Sequence, residues 1–149
     1  MKKLLLSAFG LAVGITAVQA QYYVIEETGE VSGYSWDGTG TTILNNPADD
    51  VYSTAQTIPF TFDYYGNDYT SYLASDNGYI TFDITATTSD PTNTSIPTTG
   101  GPNNAIYAVW DDLALLSGAG TPDVVKNWTY GTSPNRTHVI QWHSVNQVA

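Results

Sequence analysis

The sequence contains no cysteine, although its first 20 residues have the form of an export signal. Disulfides stabilise many small secreted domains, and their absence removes that source of stability here. The fold must therefore be held by the packing of its core, by aromatic contacts or by bound cations. Aromatic residues are plentiful, with 11 tyrosines, 4 tryptophans and 4 phenylalanines in a chain of 149 residues.

Basic residues are almost as scarce as cysteine. Apart from Lys2 and Lys3, only Lys126 and Arg136 are basic, whereas 14 acidic residues all lie after the signal-like segment. A chain that starts at Gln21 therefore carries a formal charge of −12. This charge repels phosphate backbones and anionic lipids. We predict neither nucleic-acid binding nor binding to a membrane surface.

Long apolar runs are missing, with one exception at residues 4–18. The run follows Lys2 and Lys3, precedes a plausible cleavage site at residues 18–20, and is too short to cross a membrane. We predict a signal peptide at residues 1–20 and a secreted or cell-surface bacterial protein that is not inserted in a membrane once the signal is removed. No cysteine stands at the cleavage site, which excludes a lipid anchor there.

Helical periodicity is absent after the signal, whereas alternation with a period of two is frequent. The clearest stretch is residues 57–82, where three alternating runs are separated by two turn signals. Ile58, Phe60 and Phe62 form the apolar face of the first run. Pro59 cannot donate a ladder hydrogen bond, so we predict that this strand either lies at a sheet edge or begins late.

The second and third runs flank a strong tight-turn signal, Asp76-Asn77-Gly78, because Asn-Gly accepts positive φ angles at low cost. Alternation places Tyr69 and Tyr72 on opposite faces of the second strand. It places Ile80 and Ile84 on the apolar face of the third. The purely structural interpretation of the whole stretch is a β-meander that packs one face on a core.

Residues 105–116 are apolar on both faces, and we predict that they form a central, doubly buried strand. The polar stretch at residues 85–104 predicts a long loop. In the last predicted strand, Ile140 and Trp142 face the core. Further strands are predicted at residues 22–25, 31–36, 41–44, 51–55, 124–130 and 137–145, with a glycine-rich turn at residues 117–122.

Short aromatic-rich strands separated by frequent turns predict an all-β fold, an antiparallel β-sandwich. Jelly-roll and immunoglobulin-like topologies both remain open. We predict one domain over residues 21–149. Because a strong strand runs almost to Ala149 without a closing turn, we expect an N-terminal fragment of a longer protein, with a sandwich that is incomplete at its C-terminus.

The adjacent carboxylates of Asp111 and Asp112 are the sharpest candidates for chemistry. Carboxylates beside loops are ligands that Ca²⁺ favours, and calcium is the one cofactor that we predict. The structural alternative is that one aspartate caps a turn and the other is solvated. Neighbours on a strand point to opposite faces, so this pair alone cannot form the two-carboxylate couple of a glycosidase.

Two further groups of residues are weaker candidates for a site. His138 and His143 are five residues apart, which places them on opposite faces of a strand and speaks against a shared metal. Exposed tyrosine or tryptophan side chains could stack on sugar rings, although filling the core is the alternative use of these aromatics. No motif for a nucleophile, a phosphate loop or a catalytic zinc is present, and we predict no catalytic residue.

Four motifs in a fixed order resemble a known family. They are Ile58-Pro59-Phe60-Thr61-Phe62 with Tyr65-Gly66, Ser75-Asp76-Asn77-Gly78-Tyr79-Ile80-Thr81-Phe82, Pro102-Asn103-Asn104-Ala105-Ile106 leading to Trp110-Asp111-Asp112-Leu113, and Gly131-Thr132-Ser133-Pro134-Asn135-Arg136 leading to Val139-Ile140-Gln141-Trp142. The order is similar to that of nidogen-like β-sandwich modules in secreted surface proteins, common in the Bacteroidetes group, that carry a type IX sorting domain. The resemblance covers residues 50–145.

The resemblance implies a secreted, non-catalytic module of a cell-surface or adhesion protein, with no catalytic residues to carry over. The sorting domain is missing from this sequence, which leaves the anchoring undecided. The partner would be an extracellular protein or a polysaccharide. The first alternative is a carbohydrate-binding accessory module, and the second is a hydrolase domain that uses the aspartate pair.

Overall fold

A computed structural model of the chain describes residues 40–116 and 122–148. These residues form ten β-strands in three antiparallel sheets and no helix. The predicted all-β, antiparallel β-sandwich class is confirmed. Across the described ranges there is thus no helix with the length and apolarity to cross a membrane. The predicted signal peptide, the strands predicted at residues 22–25 and 31–36, and most of the glycine-rich turn lie outside the described residues.

The first sheet contains the stretch around which the sequence is patterned. Its strand order is β3-β4-β5-β6, so β3, which contains Pro59, lies at the edge as predicted. Tyr65 and Gly66 close the β3–β4 hairpin with φ angles of 50° and 79°, the positive values that a tight hairpin turn requires. The strands are β3 Gln56–Tyr64, β4 Asn67–Ala74, β5 Tyr79–Thr81 and β6 Ala105–Tyr107.

The pairing of β3 with β4 contains an irregularity, although β3 keeps its alternation of covered and exposed side chains through it. Four residues of β3, 58–61, lie opposite the single residue Thr70 of β4. The extra residues rotate the pairing, as bulges do. On β4, Tyr72 is fully buried in the core, and Tyr69 also packs against the core, stacked on Phe82 with ring centroids 4.5 Å apart. The prediction that the two tyrosines occupy opposite faces is wrong.

The second sheet has the order β1-β8-β9 and is dominated by one long hairpin. Its nine-residue strands β8 and β9 pair over their whole length, from Val124 with His143 to Thr132 with Asn135. Ile140 and Trp142 pack against the core as predicted. The strands are β1 Thr41–Asn45, β8 Val124–Thr132 and β9 Asn135–His143.

The third sheet corrects the prediction of one central strand at residues 105–116. That stretch splits into β6, at the edge of the first sheet, and β7, in the middle of the third. The chain turns between them at Trp110, whose φ of 55° lies outside the extended region of a regular strand, and Val109 is 54% exposed. The sheet order is β10-β7-β2, with β2 Ala48–Asp49, β7 Leu113–Leu115 and β10 Asn146–Gln147.

The core lies between the first two sheets and is closed by β7. Its buried members are Ile58, Tyr72, Ala74, Ile80, Phe82, Leu115 and Val125.

Two strand predictions at the margin of this core are wrong. Ile84 is 52% exposed, because β5 ends at Thr81 and the Asp83 carboxylate bonds the backbone and side chain of Thr85 in a turn. Residues 51–55 contribute a single bridge, Tyr52 with Ser75, rather than a strand. No strand is present at residues 82–104.

Candidate functional site

The Asp76-Asn77-Gly78 turn joins β4 to β5 and is buried, together with Ser75 before it. Gly78 has a φ of 75°, and the backbone amides of Ala108 and Val109 both donate to its carbonyl. A Cβ at this position would lie 2.6 Å from the Cβ of Val109. The 108–110 loop therefore covers the turn so closely that only glycine fits.

Asn77 joins three segments that are distant in sequence. Its side-chain amide donates to Asp50 Oδ1 at 3.1 Å and to Ser89 Oγ at 3.1 Å. Its carbonyl oxygen accepts the backbone N–H of Leu113 at 2.8 Å. A buried amide that meets its partners in this way ties the loop before β3, the long polar loop and the start of β7 to one point.

Asp76 makes a second contact with the loop before β3. Both of its carboxylate oxygens accept the backbone N–H of Val51, at 3.1 and 3.3 Å. Burial raises the pKa of Asp76 to about 6, and the neighbouring charge of Asp50 acts in the same direction, whereas the hydrogen bond from Val51 lowers it. The carboxyl group thus serves to fix the backbone and is held at an energetic cost when it is ionised.

The long polar loop at residues 85–104 is attached to the same turn. Ser89 Oγ lies 2.6 Å from Ser75 Oγ, and the backbone N–H of Asp90 donates to the Tyr79 hydroxyl at 2.9 Å. Serine and tyrosine hydroxyls both donate and accept, so they can link several polar groups in one network. The loop is therefore fixed at its middle to the buried turn.

The structure separates the two aspartates that the sequence singles out. Asp111 accepts hydrogen bonds from the side-chain amides of Asn93 at 2.8 Å and Gln147 at 2.9 Å, and from the backbone N–H of Asp112 at 2.9 Å. This is the turn-capping role that we weighed as the alternative. The hydrolase that would use the pair stays a prediction.

Asp112 instead lies beside Asp49 and Asp50. One carboxylate oxygen from each of the three lies within 4.8 Å of the other two. The pKa of Asp112 is raised, by desolvation and by the negative charges of Asp50, Asp49 and Asp111. Clustered carboxylate oxygens are the donors that Ca²⁺ prefers. The calcium site stays a prediction, with Asp49 and Asp50, rather than Asp111, as the neighbours of Asp112.

The two histidines of the chain lie on opposite faces of β9, as predicted from their spacing. His138 is half-buried, with Nε2 3.0 Å from the Tyr72 hydroxyl and Nδ1 2.7 Å from Thr129 Oγ1. Desolvation lowers the pKa of His138, so the neutral ring is favoured. His143 lies at the base of the hairpin, opposite Val124. His138 is thus a packing residue between the two sheets.

An apolar cleft of about 450 Å³ opens between the first and second sheets. The inner faces of β3 and β9 form most of its walls, and its lining includes the ionisable residues Arg136, His138 and Tyr72. A cleft with this lining accepts apolar groups. Its apolar walls include Ile58, Phe60, Phe62, Phe82, Ile140 and Trp142.

The outer half of the long hairpin projects from the domain. All nine residues 129–137 are exposed, and we call this segment the hairpin arm. Arg136 links the arm to β3, because its Nη1 donates to the Pro59 carbonyl at 2.6 Å and its guanidinium lies 5.2 Å from the centre of the Phe60 ring. The lower end of the arm is therefore fixed against β3 beside the cleft, while its tip is exposed.

The base of the same hairpin is anchored in the core. Val125 of β8 is fully buried. The Trp142 indole of β9 donates to the carbonyl oxygen of Ser75 at 2.7 Å. The hairpin thus runs from the buried turn at one end to exposed residues at the other.

Charge is divided between the hairpin and the rest of the chain. Residues 124–148 contain Lys126, Arg136 and both histidines but no acidic residue. Residues 40–123, which we call the body, contain ten aspartates and no lysine, arginine or histidine. This division can be read from the sequence, and the structure places Arg136 in the exposed arm and Lys126 and His143 at the half-buried base of the hairpin.

A family model described as NIDO related matches residues 21–148. The chain belongs to the nidogen-related family. This membership confirms the nidogen-like part of the resemblance and indicates an extracellular module. Comparisons of the nidogen-related chain with curated proteins and with solved structures gave no match.

Pattern analysis did not identify the residues that hold the nidogen-related domain together. The Ser-Asp-Asn-Gly motif predicts a turn, yet its burial depends on Val51, Ser89 and Leu113, which no local pattern connects to it. Ser89 lies within a polar loop, and no sequence pattern around it distinguishes it from the other polar residues there. A buried polar network of this kind becomes visible only when the partners are placed in space.

Proposed function

We propose that this chain is a secreted, non-catalytic adhesion module that binds an extracellular macromolecule through an exposed surface. The observation that carries the proposal is the hairpin arm, a run of nine exposed residues on a domain of the nidogen-related family. A projecting hairpin offers contact area on both faces. Such a surface suits docking to a large partner better than the enclosure of a small one.

The non-catalytic part of the proposal rests on how the reactive side chains are used. Asp76 and Asn77 fix loops, Asp111 caps a turn, and His138 bridges two hydroxyl groups. Acid–base or nucleophilic catalysis requires several reactive groups that point at one position. Here each group is instead held by neighbours within the domain.

The route to the cell surface belongs to the same proposal. Residues 1–20 have the order of a signal peptide, with basic residues, an apolar run and a small-residue cleavage site. Type IX export from a Bacteroidetes cell is implied by the resemblance of the four motifs. An export assay in which the first 20 residues are deleted tests the signal, and secretion that persists after the deletion would contradict it.

Adhesion itself is tested with the secreted chain coupled to beads. The beads are challenged with surfaces coated with the same chain, with collagen-coated surfaces, and with cellulose and chitin. We expect retention on at least one surface, and we expect its loss when Thr132→Asp and Asn135→Asp change the arm. Retention on none of them, or equal retention by the arm variant and the unchanged chain, would contradict the proposal.

Carbohydrate binding is the second candidate function, and one observation favours it. Trp128 and Tyr130 lie two residues apart on the same face of β8, which places them about 7 Å apart along the strand. Tyr130 is 41% exposed, and planar side chains spaced in this way can stack on successive sugar rings. We expect Tyr130→Ala to abolish retention on cellulose or chitin while Tyr65→Ala, which removes a more exposed tyrosine elsewhere, does not. Loss of retention with both variants would show that the chain adsorbs nonspecifically to the polysaccharide.

A further inference from the structure

The cleft between the first and second sheets stays open because the two sheets differ in width. Its floor is the inner face of the first sheet, and all four strands of that sheet contribute to it or to its edge. Its roof is β9 alone, the last strand in the order β1-β8-β9 among the described residues. Neighbouring strands lie about 4.8 Å apart, so the floor measures about 14 Å from β3 to β6. A single strand cannot cover a floor of that width.

Several large apolar side chains of this cleft are only partly covered. Phe60 and Phe62 of β3 are half-buried, as are Ile140 and Trp142 of β9, although all four line the cleft. Ile106 of β6 is 38% exposed. Apolar surface that remains in contact with water favours the binding of an apolar group. The cleft volume of about 450 Å³ lies in the range of small-molecule sites.

The charge at the cleft has one sign. Ten aspartates belong to the body, yet no carboxylate stands among the described lining residues, and Arg136 is the one lysine or arginine there. Tyr72 and His138 also line the cleft, but they are engaged with each other, with the hydroxyl 3.0 Å from Nε2. The group that can take the charge of a ligand is therefore the Arg136 guanidinium.

Arg136 keeps hydrogen-bond donors for such a ligand. Its Nη1 donates to the Pro59 carbonyl, and its guanidinium lies over the Phe60 ring, so the group is held at the β3 end of the cleft. A guanidinium has five N–H donors, and a carboxylate can accept two of them side by side. The net negative charge of the chain opposes an anion, but at about 0.15 M salt charges in solvent are largely screened beyond about 8 Å.

We propose that this cleft binds a free fatty acid, with the acyl chain across the apolar floor and the carboxylate on Arg136. The cation lies at the β3 end, so the chain runs from there towards Ile106 at the β6 end. A long, narrow apolar ligand with one anionic end matches that arrangement. The site is separate from the adhesion surface proposed above and does not depend on it.

Isothermal titration calorimetry of the full secreted chain, at about 0.15 M salt, tests the site. Decanoate is the probe, and decanol is a matched probe with an apolar tail of the same length and no charge. We expect decanoate to bind saturably at one site and about tenfold more tightly than decanol, because charge-assisted hydrogen bonds to Arg136 act on the carboxylate alone. The absence of saturable decanoate binding, or equal affinities for the two probes, overturns the proposal.

A charge variant tests the carboxylate contact. Arg136→Gln removes the charge, and we expect about tenfold weaker binding of decanoate with unchanged binding of decanol. Weaker binding of both probes would show that Arg136 acts only through its contact with β3, which overturns its role as the ligand for the carboxylate. The control, Lys126→Gln, removes the other cation of the hairpin, which does not line the cleft, and should leave both affinities unchanged.

A filled cleft locates the site. Ala108 is exposed and lines the cleft beside β6, so Ala108→Trp should weaken the binding of both probes at least tenfold. Thr61→Trp adds the same side chain at an exposed position of β3 outside the lining and should change neither affinity. A urea transition confirms that each variant folds. Unchanged decanoate binding by Ala108→Trp overturns the proposal.

Sedimentation velocity identifies a competing occupant. We expect the unchanged chain to bind decanoate as a monomer. A dimer that excludes decanoate would show that a second copy covers the cleft, and the proposal would then be overturned. Retention of the coated beads in the adhesion assay, without any decanoate binding, would leave the adhesion function standing and remove only this inference.

Discussion

Two turns of this chain are built from similar residues and lie in opposite surroundings. The turn at residues 75–78, Ser-Asp-Asn-Gly, is fully covered and bonded to three other segments. The turn at residues 131–135, Gly-Thr-Ser-Pro-Asn, lies at the end of an arm that is exposed throughout. Glycine and asparagine specify that the chain reverses, but what packs over the reversal is decided elsewhere in the sequence.

The most severe test compares Gly78 of the buried turn with Gly66 of the exposed β3–β4 turn, two glycines that both have positive φ angles. Gly78 and Gly66 have φ angles of 75° and 79°, but a Cβ at Gly78 meets Val109 at 2.6 Å whereas one at Gly66 meets nothing within 4 Å. We expect Gly78→Ala to lower the free energy of unfolding by about 4 kcal/mol, because overpacking adds to backbone strain. Gly66→Ala should lower it by about 1 kcal/mol, from strain alone. Urea denaturation measures both, and equal losses would show that the 108–110 loop can move aside.

The second test compares Asn77 of the buried turn with Asn135 of the exposed turn. Asn77→Ala removes three hydrogen bonds and leaves the buried N–H of Leu113 without its acceptor. We expect a loss of about 3 kcal/mol in the free energy of unfolding. Asn135→Ala, in the exposed arm, should change it by less than about 0.5 kcal/mol. A small effect of Asn77→Ala would mean that water replaces its partners and that the turn is not closed.

A pH series sharpens the comparison at Asp76. Burial raises the pKa of this carboxyl from 3.8 to about 6 in the folded chain, so the folded state holds the proton more tightly than the unfolded state. Its contribution to stability is therefore fully present below about pH 4 and is lost as the pH rises through about 6. The expected loss is about 3 kcal/mol, because each pKa unit corresponds to about 1.4 kcal/mol. We expect the urea midpoint of Asp76→Asn to lose this pH dependence between 4 and 7, and a slope identical to that of the unchanged chain would show that another group titrates.

The smallest expected effect concerns calcium beside the buried turn. If Asp112 with Asp49 and Asp50 binds Ca²⁺, millimolar calcium should raise the melting temperature by a few degrees, which corresponds to about 1 kcal/mol. Asp112→Asn should remove the rise, and Asp68→Asn, an exposed carboxylate on β4, should not. A melting temperature that changes with neither calcium nor chelator would contradict the predicted calcium site.

Local features of this fold were predictable because local residues determine them. Pro59 lacks an N–H and lies at an edge, and the alternation around Ile140 and Trp142 places both side chains on the core. The motifs also predicted a nidogen-like module, which the family match supports.

The incorrect predictions concern features that are determined by residues distant in the sequence. The stretch at residues 105–116 was predicted as one strand but divides between two sheets. Tyr69 and Tyr72 were predicted on opposite faces, but both pack against the same core. The network of the buried turn links residues 25 and 36 positions apart, beyond any window in which periodicity is measured.

The hydrogen bond from Trp142 to the carbonyl oxygen of Ser75 bears on how the domain resists a pulling force. Tension applied at the tip of the arm runs lengthwise down both strands of the hairpin, and the hydrogen bonds between β8 and β9 lie across that direction and carry little of it. The load arrives at the base, where Val125 is packed in the core and the Trp142 indole is bonded to the buried turn. Pulling on the arm therefore strains the best-packed part of the domain rather than peeling a strand from its edge.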